Sequence, residues 1–467
     1  MQEYNILKRK PKQSNKSKFF GAFREKTLLL AFGCVLAFVL AEIVVRAFPD
    51  KFIMYMTPQA STFKHYLRDD EWASRPKQKG SWNTRCFSID PVCTNSLGFR
   101  DKEWDIGGAF KIGILGDSFM MAAEVPEGMH TAAILGKLLN KEVLNAGMRR
   151  YSTLHELLAY RKFLKPLKTN ITILFFHIAT DVYENSCELT KLIYYKIYKP
   201  CACIVEGKVE IQTKLAHSDI AVPAQRLSSA VGRIIKKHCL SCLVIYRYIY
   251  GEYIYKMLFP PNKHYLDVYA PPKNKNWKDA WDITEEMLIN LNKEVEANGD
   301  KLLVVEVPGN INFLEGRNRI KKETGLTTLP DNFSVLYPTK RIQKTCQSNY
   351  IQFLALSPYF ISYKNKYRLR SPYFSYSCDG HWNPLGHFLA SNIVAKYLIE
   401  HNWLPLKDAD KAILLRKINK NLELSPKEIL GEDAYRQIYH RGLYLGSSNI
   451  TKILETDTRS LGTGEYN

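Results

Sequence analysis

The 467 residues include 46% hydrophobic and 24% charged side chains, proportions of a globular protein with a substantial core, which excludes a wholly disordered chain. That length allows one large domain with appendages, or roughly two to three ordinary ones. The net charge of +20 invites nucleic acid, but no zinc-finger spacing, RNA-binding signature or basic repeat accompanies it, so no nucleic-acid partner is expected. A basic surface equally suits anionic lipid headgroups or acidic glycans.

In chain order, residues 1–26 form a polar, basic tail with Lys8, Arg9, Lys10, Lys12, Lys16, Lys18, Arg24 and Lys26. Thr27 to Val45 is nearly continuous in apolar side chains. About 19 residues at 1.5 Å each span roughly 28 Å, enough for a bilayer core. The rival reading is a signal peptide, whose apolar core is shorter, about 7–15 residues, and closes on a small-residue cleavage site. Glu42, Arg46, Phe48 and Pro49 stand here instead, with no clear Ala-x-Ala. The expectation is therefore an uncleaved single-pass membrane anchor over 27–48. Its basic flank stays cytoplasmic, which places the remainder on the periplasmic or extracellular side. Glu42 is costly in an apolar run unless paired, and Arg46 one turn later is its natural partner.

Of ten cysteines, Cys34 lies in the span, which leaves an odd number beyond it. An exported compartment permits disulfides, with Cys86–Cys93 and some pairing among Cys187, Cys201, Cys203, Cys239 and Cys242 as candidates. Cys201-x-Cys203 and His238-Cys239-x-x-Cys242 also resemble fragments of a zinc site, although their spacing fits no familiar finger. Neither a metal nor a cofactor is expected.

Residues 49–110 read as an irregular lead-in that closes on Thr94-Asn95-Ser96-Leu97-Gly98-Phe99-Arg100. Regular alternation follows over 111–186: a strand from Lys111 to Leu115, a helix from about His130, and a strand from Glu142 to Asn145. Thr153 and Glu156 suggest a capping box that opens a helix with Leu154, Leu157, Leu158 and Leu164 inward, ahead of a strand at Ile171 to Phe176. The alternation stops in a Tyr-rich, basic insertion over 187–281, which includes Tyr194, Tyr195, Tyr198, Tyr246, Tyr248, Tyr250, Tyr253 and Tyr255. It resumes over 282–405 with a helix framed by Asp282 and Glu285, strands at Lys301–Val307 and Tyr350–Leu356, and a closing helix from Pro384. Residues 406–467 read as a peripheral helical tail. Strands alternating with amphipathic helices predict an α/β fold with a parallel sheet covered on both faces.

Ligands of open α/β sheets bind beyond the carboxyl ends of the strands. Asp117-Ser118 follows the first strand, Gly147 the second, and Thr180-Asp181 the third. The loop Cys378-Asp379-Gly380-His381-Trp382-Asn383 precedes the closing helix and can fold over the same edge. Ser118, His381 and Asp379 are the parts of an activated oxygen nucleophile: a hydroxyl, a base, and a carboxylate that orients the base. Backbone N–H groups of Ser118 and Gly147, with Thr180, are the candidate oxyanion donors. His387 reads as packing at the start of the final helix, and His130, His155 and His177 as ordinary core or surface histidines.

These residues resemble the blocks of the SGNH/GDSL hydrolases. Gly116-Asp117-Ser118-Phe119 is similar to the nucleophile block, Asn145-Ala146-Gly147 to the second and Thr180-Asp181 to the third. Asp379-Gly380-His381-Trp382-Asn383-Pro384-Leu385-Gly386-His387 is similar to the terminal block. The likeness covers roughly residues 94–185 and 282–400. It implies a flavodoxin-like three-layer α/β/α fold and acyl-ester chemistry. The family's third block usually supplies an asparagine amide where this chain has Thr180. The Asp-x-His-Trp form is similar to that of anchored envelope members, including alginate-type acetyltransferases.

The expected function is a membrane-anchored serine esterase that removes acyl groups, chiefly O-acetyl, from envelope carbohydrate or lipid. An O-acyltransferase would use the same three residues with a sugar hydroxyl in place of water. A degenerate glycan-binding protein is the non-enzymatic alternative. Oligomeric state is not legible.

Overall fold

The computed structural model describes residues 16–48, 61–63, 74–84, 86–108, 110–194, 199–213, 239–249, 263–309, 317–324, 326, 328–371, 373–446 and 448–455. Tyr195, Tyr198, Tyr250, Tyr253, Tyr255 and His238 lie outside the described residues. The chain divides into two compact units, Met1–Met56 with Pro223–Ile254, and Thr57–Val222 with Tyr255–Asn467.

In the smaller unit, Lys16–Ala47 is one helix, and its stretch Glu25–Ala47 is long and apolar enough to cross a membrane. Leu29, Phe32, Val35 and Ile43 stay exposed on it, as lipid-facing side chains would. Glu42 pairs with Arg46 at 2.7 Å, as its spacing predicts. The same carboxylate accepts the N–H groups of Leu240 (3.2 Å) and Ser241 (2.8 Å), which open a second helix, Leu240–Ile249. Two otherwise unsatisfied helix N–H groups are thereby used.

The larger unit is built on a sheet of five parallel strands. A hairpin, β1 (Lys79–Asn83) and β2 (Ser88–Cys93), precedes β3 (Lys111–Gly116), β4 (Glu142–Asn145) and β5 (Ile171–His177). A second hairpin, β6 (Cys201–Val205) and β7 (Lys208–Gln212), comes before β8 (Lys301–Val307) and β9 (Gln352–Ala355). The main sheet runs β4-β3-β5-β8-β9, in parallel register with Gly116 beside Phe175 and Phe176 beside Glu306. Every residue of β3 and β5 is buried, because helices cover both faces of the sheet. Helix Thr131–Leu139 packs with Pro384–Glu400, and helix Thr153–Ala159 packs with Lys275–Ala297. This is the expected three-layer α/β fold, and the order reverses between β3 and β5, where ligands of such sheets bind.

Several local expectations shift. The helix cap before Thr153 is Ser152, whose N–H donates to His155 Nδ1 at 3.2 Å, so Thr153 and Glu156 do not form the box. The helix expected from Asp282 starts at Lys275, capped by Asn274, because Trp277 and Trp281 extend its buried face by two turns. Cys86 pairs with Cys378 instead of Cys93, which is a free thiol. Cys187–Cys201 and Cys239–Cys242 are the other disulfides, so those four sulfurs are not thiolates for zinc. The segment after 406 is not peripheral where described: Leu414, Ile418, Ile429, Leu430 and Tyr444 are buried in the core. Tyr444 donates its N–H to Cys86 O at 2.8 Å and accepts the Ser88 N–H at 2.9 Å.

Candidate active site

The turn that carries Ser118 is shaped by its neighbours. Asp117 caps the short helix Ser118–Met121 through Oδ1, which accepts the Phe119 N–H at 2.8 Å. Ser118 therefore need not serve as the cap, and its hydroxyl is left for other use. Asn145 braces the turn from behind: its Nδ2 donates to Met120 O at 2.9 Å and to Arg100 O at 3.2 Å. Arg100 is buried and donates to Val125 O at 2.5 Å, fixing the loop that follows the helix.

The terminal loop folds tightly. Tyr376 N–H donates to His381 O and Gly380 N–H to Tyr376 O, each at 2.9 Å. Gly380 sits at φ +89°, a conformation that costs any residue with a Cβ. The Cys86–Cys378 disulfide pins this loop to the lead-in. Across 263 residues of sequence, His381 Nε2 then meets Ser118 Oγ at 2.8 Å. His381 Nδ1 is hydrogen-bonded to Asp379 Oδ1. All three expected residues come together on one cleft of about 780 Å³.

The oxyanion candidates are placed differently from one another. Ser118 N–H begins the short helix, where no intrahelical acceptor exists. Thr180 lines the cleft, with Oγ1 at 2.7 Å from His177 Nδ1. Gly147 is not among the cleft-lining residues, and its N–H donates to Asn145 Oδ1 at 3.1 Å. The glycine is needed for packing: a Cβ there would lie 2.4 Å from Met120 Cβ and 2.9 Å from the Met121 nitrogen. His387 is buried and bonds Thr131 Oγ1 at 2.9 Å through Nδ1, a packing role as expected.

Three further side chains have no motif to announce them. Glu124, buried, places Oε1 at 3.7 Å from His381 Nδ1. Arg149 lines the cleft and lies with its guanidinium 5.4 Å from the Trp82 ring. His177 lines the cleft on the Ser118 side, at the end of β5. No pattern could have exposed Glu124 or Arg149; His177 was detectable only as a polar residue closing an otherwise apolar strand.

Electrostatics follow from this packing. Burial pulls the His381 imidazolium down, but the carboxylates of Glu124 and Asp379 outweigh it and push the group up to about 9. Burial also opposes ionisation of Asp379, yet His381 beside it, helped by Arg149, holds its carboxyl below the usual range. Burial raises Glu124. The His381 ring is thus expected to titrate near pH 9 by NMR, and Glu124→Gln to move that midpoint downward because one of the two stabilising charges is gone. An unchanged midpoint would show that Glu124 exerts no field on the ring.

Among the described residues, two clusters bring possible metal-ligand atoms within 4.8 Å of each other: Glu124, Asp379 and His381, and Asp101, Glu127 and His130. In the first, both His381 nitrogens are engaged, by Ser118 and Asp379. In the second, Asp101 Oδ2 accepts from Trp104 and Asn145, while His130 bonds Glu127 and caps a helix.

No family model matches the sequence, and no curated protein matches it. Solved structures that the chain matches include acetyl xylan esterase AlAXEase, at 10% identity over 62% of this chain and 100% of that one, TM-score 0.34. A catalytic mutant of Axe2, an acetylxylan esterase from Geobacillus stearothermophilus, matches at 12% identity over 64% of this chain and 99% of that one, TM-score 0.33. A lipase/acylhydrolase from Enterococcus faecalis matches at 12% identity over 64% and 99%, TM-score 0.31. Likenesses this distant carry no weight for chemistry, which rests on the residues of the cleft.

Proposed function

We propose that this chain is a membrane-anchored serine esterase of the SGNH/GDSL type, acting on acyl esters of carbohydrate or lipid. One observation carries the reading: Ser118 Oγ lies 2.8 Å from His381 Nε2, while His381 Nδ1 is bonded to the Asp379 carboxylate, in an open cleft. In this reading Ser118 Oγ attacks the ester carbon as the neutral His381 ring takes its proton, so turnover rises with pH toward the ring's midpoint near 9. The tetrahedral intermediate collapses, the C–O bond to the alcohol breaks, and His381 returns the proton to the leaving oxygen. Water then attacks the acyl-enzyme, giving its proton to His381, and Ser118 leaves with that proton. Asp379 keeps the ring in the tautomer with Nδ1–H and stabilises the imidazolium. Ser118 N–H and the Thr180 hydroxyl supply the developing oxyanion with donors, in place of the Gly147 N–H already bonded to Asn145.

The basic stretch before the apolar helix supports a cytoplasmic N-terminus, with the cleft on the periplasmic or extracellular side. The test is covalent labelling. A fluorophosphonate probe should label the wild-type protein at Ser118 and leave Ser118→Ala unlabelled. Folded wild-type protein that stays unlabelled would sink the reading.

A further inference from the structure

The cleft holds a second imidazole that the acyl-transfer scheme does not use. His177 closes β5, and its backbone N–H is held by Asp181 Oδ2 at 3.0 Å. Its Nδ1 lies 3.0 Å from Asp117 Oδ2 and 2.7 Å from Thr180 Oγ1. The ring packs on Phe119 with centroids 4.8 Å apart, and the His381 ring packs on the same phenyl at 5.1 Å. Two imidazoles thus flank the residue that follows the nucleophile.

The hydrogen bonds decide the tautomer. An ionised carboxylate only accepts, so the proton between Asp117 and His177 sits on Nδ1, and Thr180 Oγ1 shares it. In that tautomer Nε2 carries the ring's lone pair. His177 lines the cleft, and no side chain or backbone group among the described residues bonds Nε2. The Asp117–His177 arrangement repeats that of Asp379–His381, but without a serine at the far nitrogen. Asp117 is itself buried and fixed by the Phe119 N–H, so the ring is held rigidly before any ligand arrives.

We propose that His177 is a specificity residue for the alcohol half of the substrate: Nε2 accepts a hydrogen bond from a hydroxyl near the ester oxygen. This rests on the esterase reading and narrows it to esters of polyhydroxylated alcohols, such as sugars. His177 takes no proton in the reaction; His381 alone exchanges protons with Ser118 and the leaving oxygen. The role of His177 is to place the diol so that its esterified oxygen lies beside His381. Ser371, Ser375 and Ser377 line the same cleft and offer hydroxyl groups to the rest of such a ligand.

The test compares glycerol 1-monoacetate with propyl acetate, matched esters that differ by two hydroxyl groups. The kcat/KM ratio of the first to the second should fall about tenfold in His177→Leu, the scale of one hydrogen bond. His177→Gln, which keeps an acceptor oxygen, should recover most of that ratio. Loss of turnover on both esters in equal proportion would mean a structural role and overturn the proposal. So would an unchanged ratio at full activity.

A binding arm separates this inference from the esterase reading. Saturation-transfer NMR should show glycerol 1-monoacetate on Ser118→Ala protein, with binding about tenfold weaker in the Ser118→Ala, His177→Leu double variant. Wild-type protein that cleaves neither ester, with this binding difference intact, refutes the esterase reading and upholds the His177 contact. Equal binding by the two variants refutes the contact.

Discussion

Ester turnover by Ser118→Ala and by His381→Ala is expected to fall about 10⁶-fold each in kcat, and the double variant to fall no further. The reason is that the two side chains act as one unit in the proposed mechanism. Their 2.8 Å hydrogen bond transfers the proton that makes Ser118 nucleophilic, so either loss removes the same event. Residual turnover would come from the oxyanion donors and substrate binding, about 10³–10⁴-fold above water. The measurement is steady-state hydrolysis of an aryl acetate by the three variants. Multiplicative losses in the double variant would mean that Ser118 and His381 act independently, which would contradict the proposed roles.

The second large effect is expected at the disulfide. Cys86→Ser with Cys378→Ser should destabilise the larger unit by about 2–5 kcal/mol, because the bond closes a very long loop in the unfolded chain. Its sequence separation is 292 residues. Turnover should fall as well, since Asp379 and His381 directly follow Cys378 on the pinned loop. Thermal melts and ester hydrolysis of the double-serine protein, set beside wild type, check both parts. A melt unchanged from wild type would show that the many contacts of this loop hold it without the bond. Tyr376 illustrates them: its hydroxyl donates to Glu124 O at 3.0 Å, and its ring packs 5.0 Å from Phe87.

Legibility differed by the range of the interaction. Ile171–Phe176 and Lys301–Val307 read as buried strands because apolar side chains on both faces of a parallel sheet leave a continuous run. Helix starts were harder: Lys275 begins a helix whose first turns look polar, and only the packing of Trp277 and Trp281 extends it. Gly147 reads in the sequence as a backbone donor to the oxyanion. Close approach of the Met120 backbone demands the glycine, while its N–H is turned to Asn145.

The chain on its own determined the α/β alternation, the apolar membrane-length helix, and the presence of a Gly-Asp-Ser turn and an Asp-x-His loop. Each is a local pattern, set by side chains a few residues apart through helical or strand geometry. Tertiary structure alone decided that Cys86 meets Cys378, that Tyr444 lies beside the lead-in, and that Glu124 joins the His381 environment. It also placed His177, with its ring fixed by Asp117, in the cleft with Ser118. Those contacts join residues far apart in the chain, and no periodicity encodes which distant partner a buried side chain will meet.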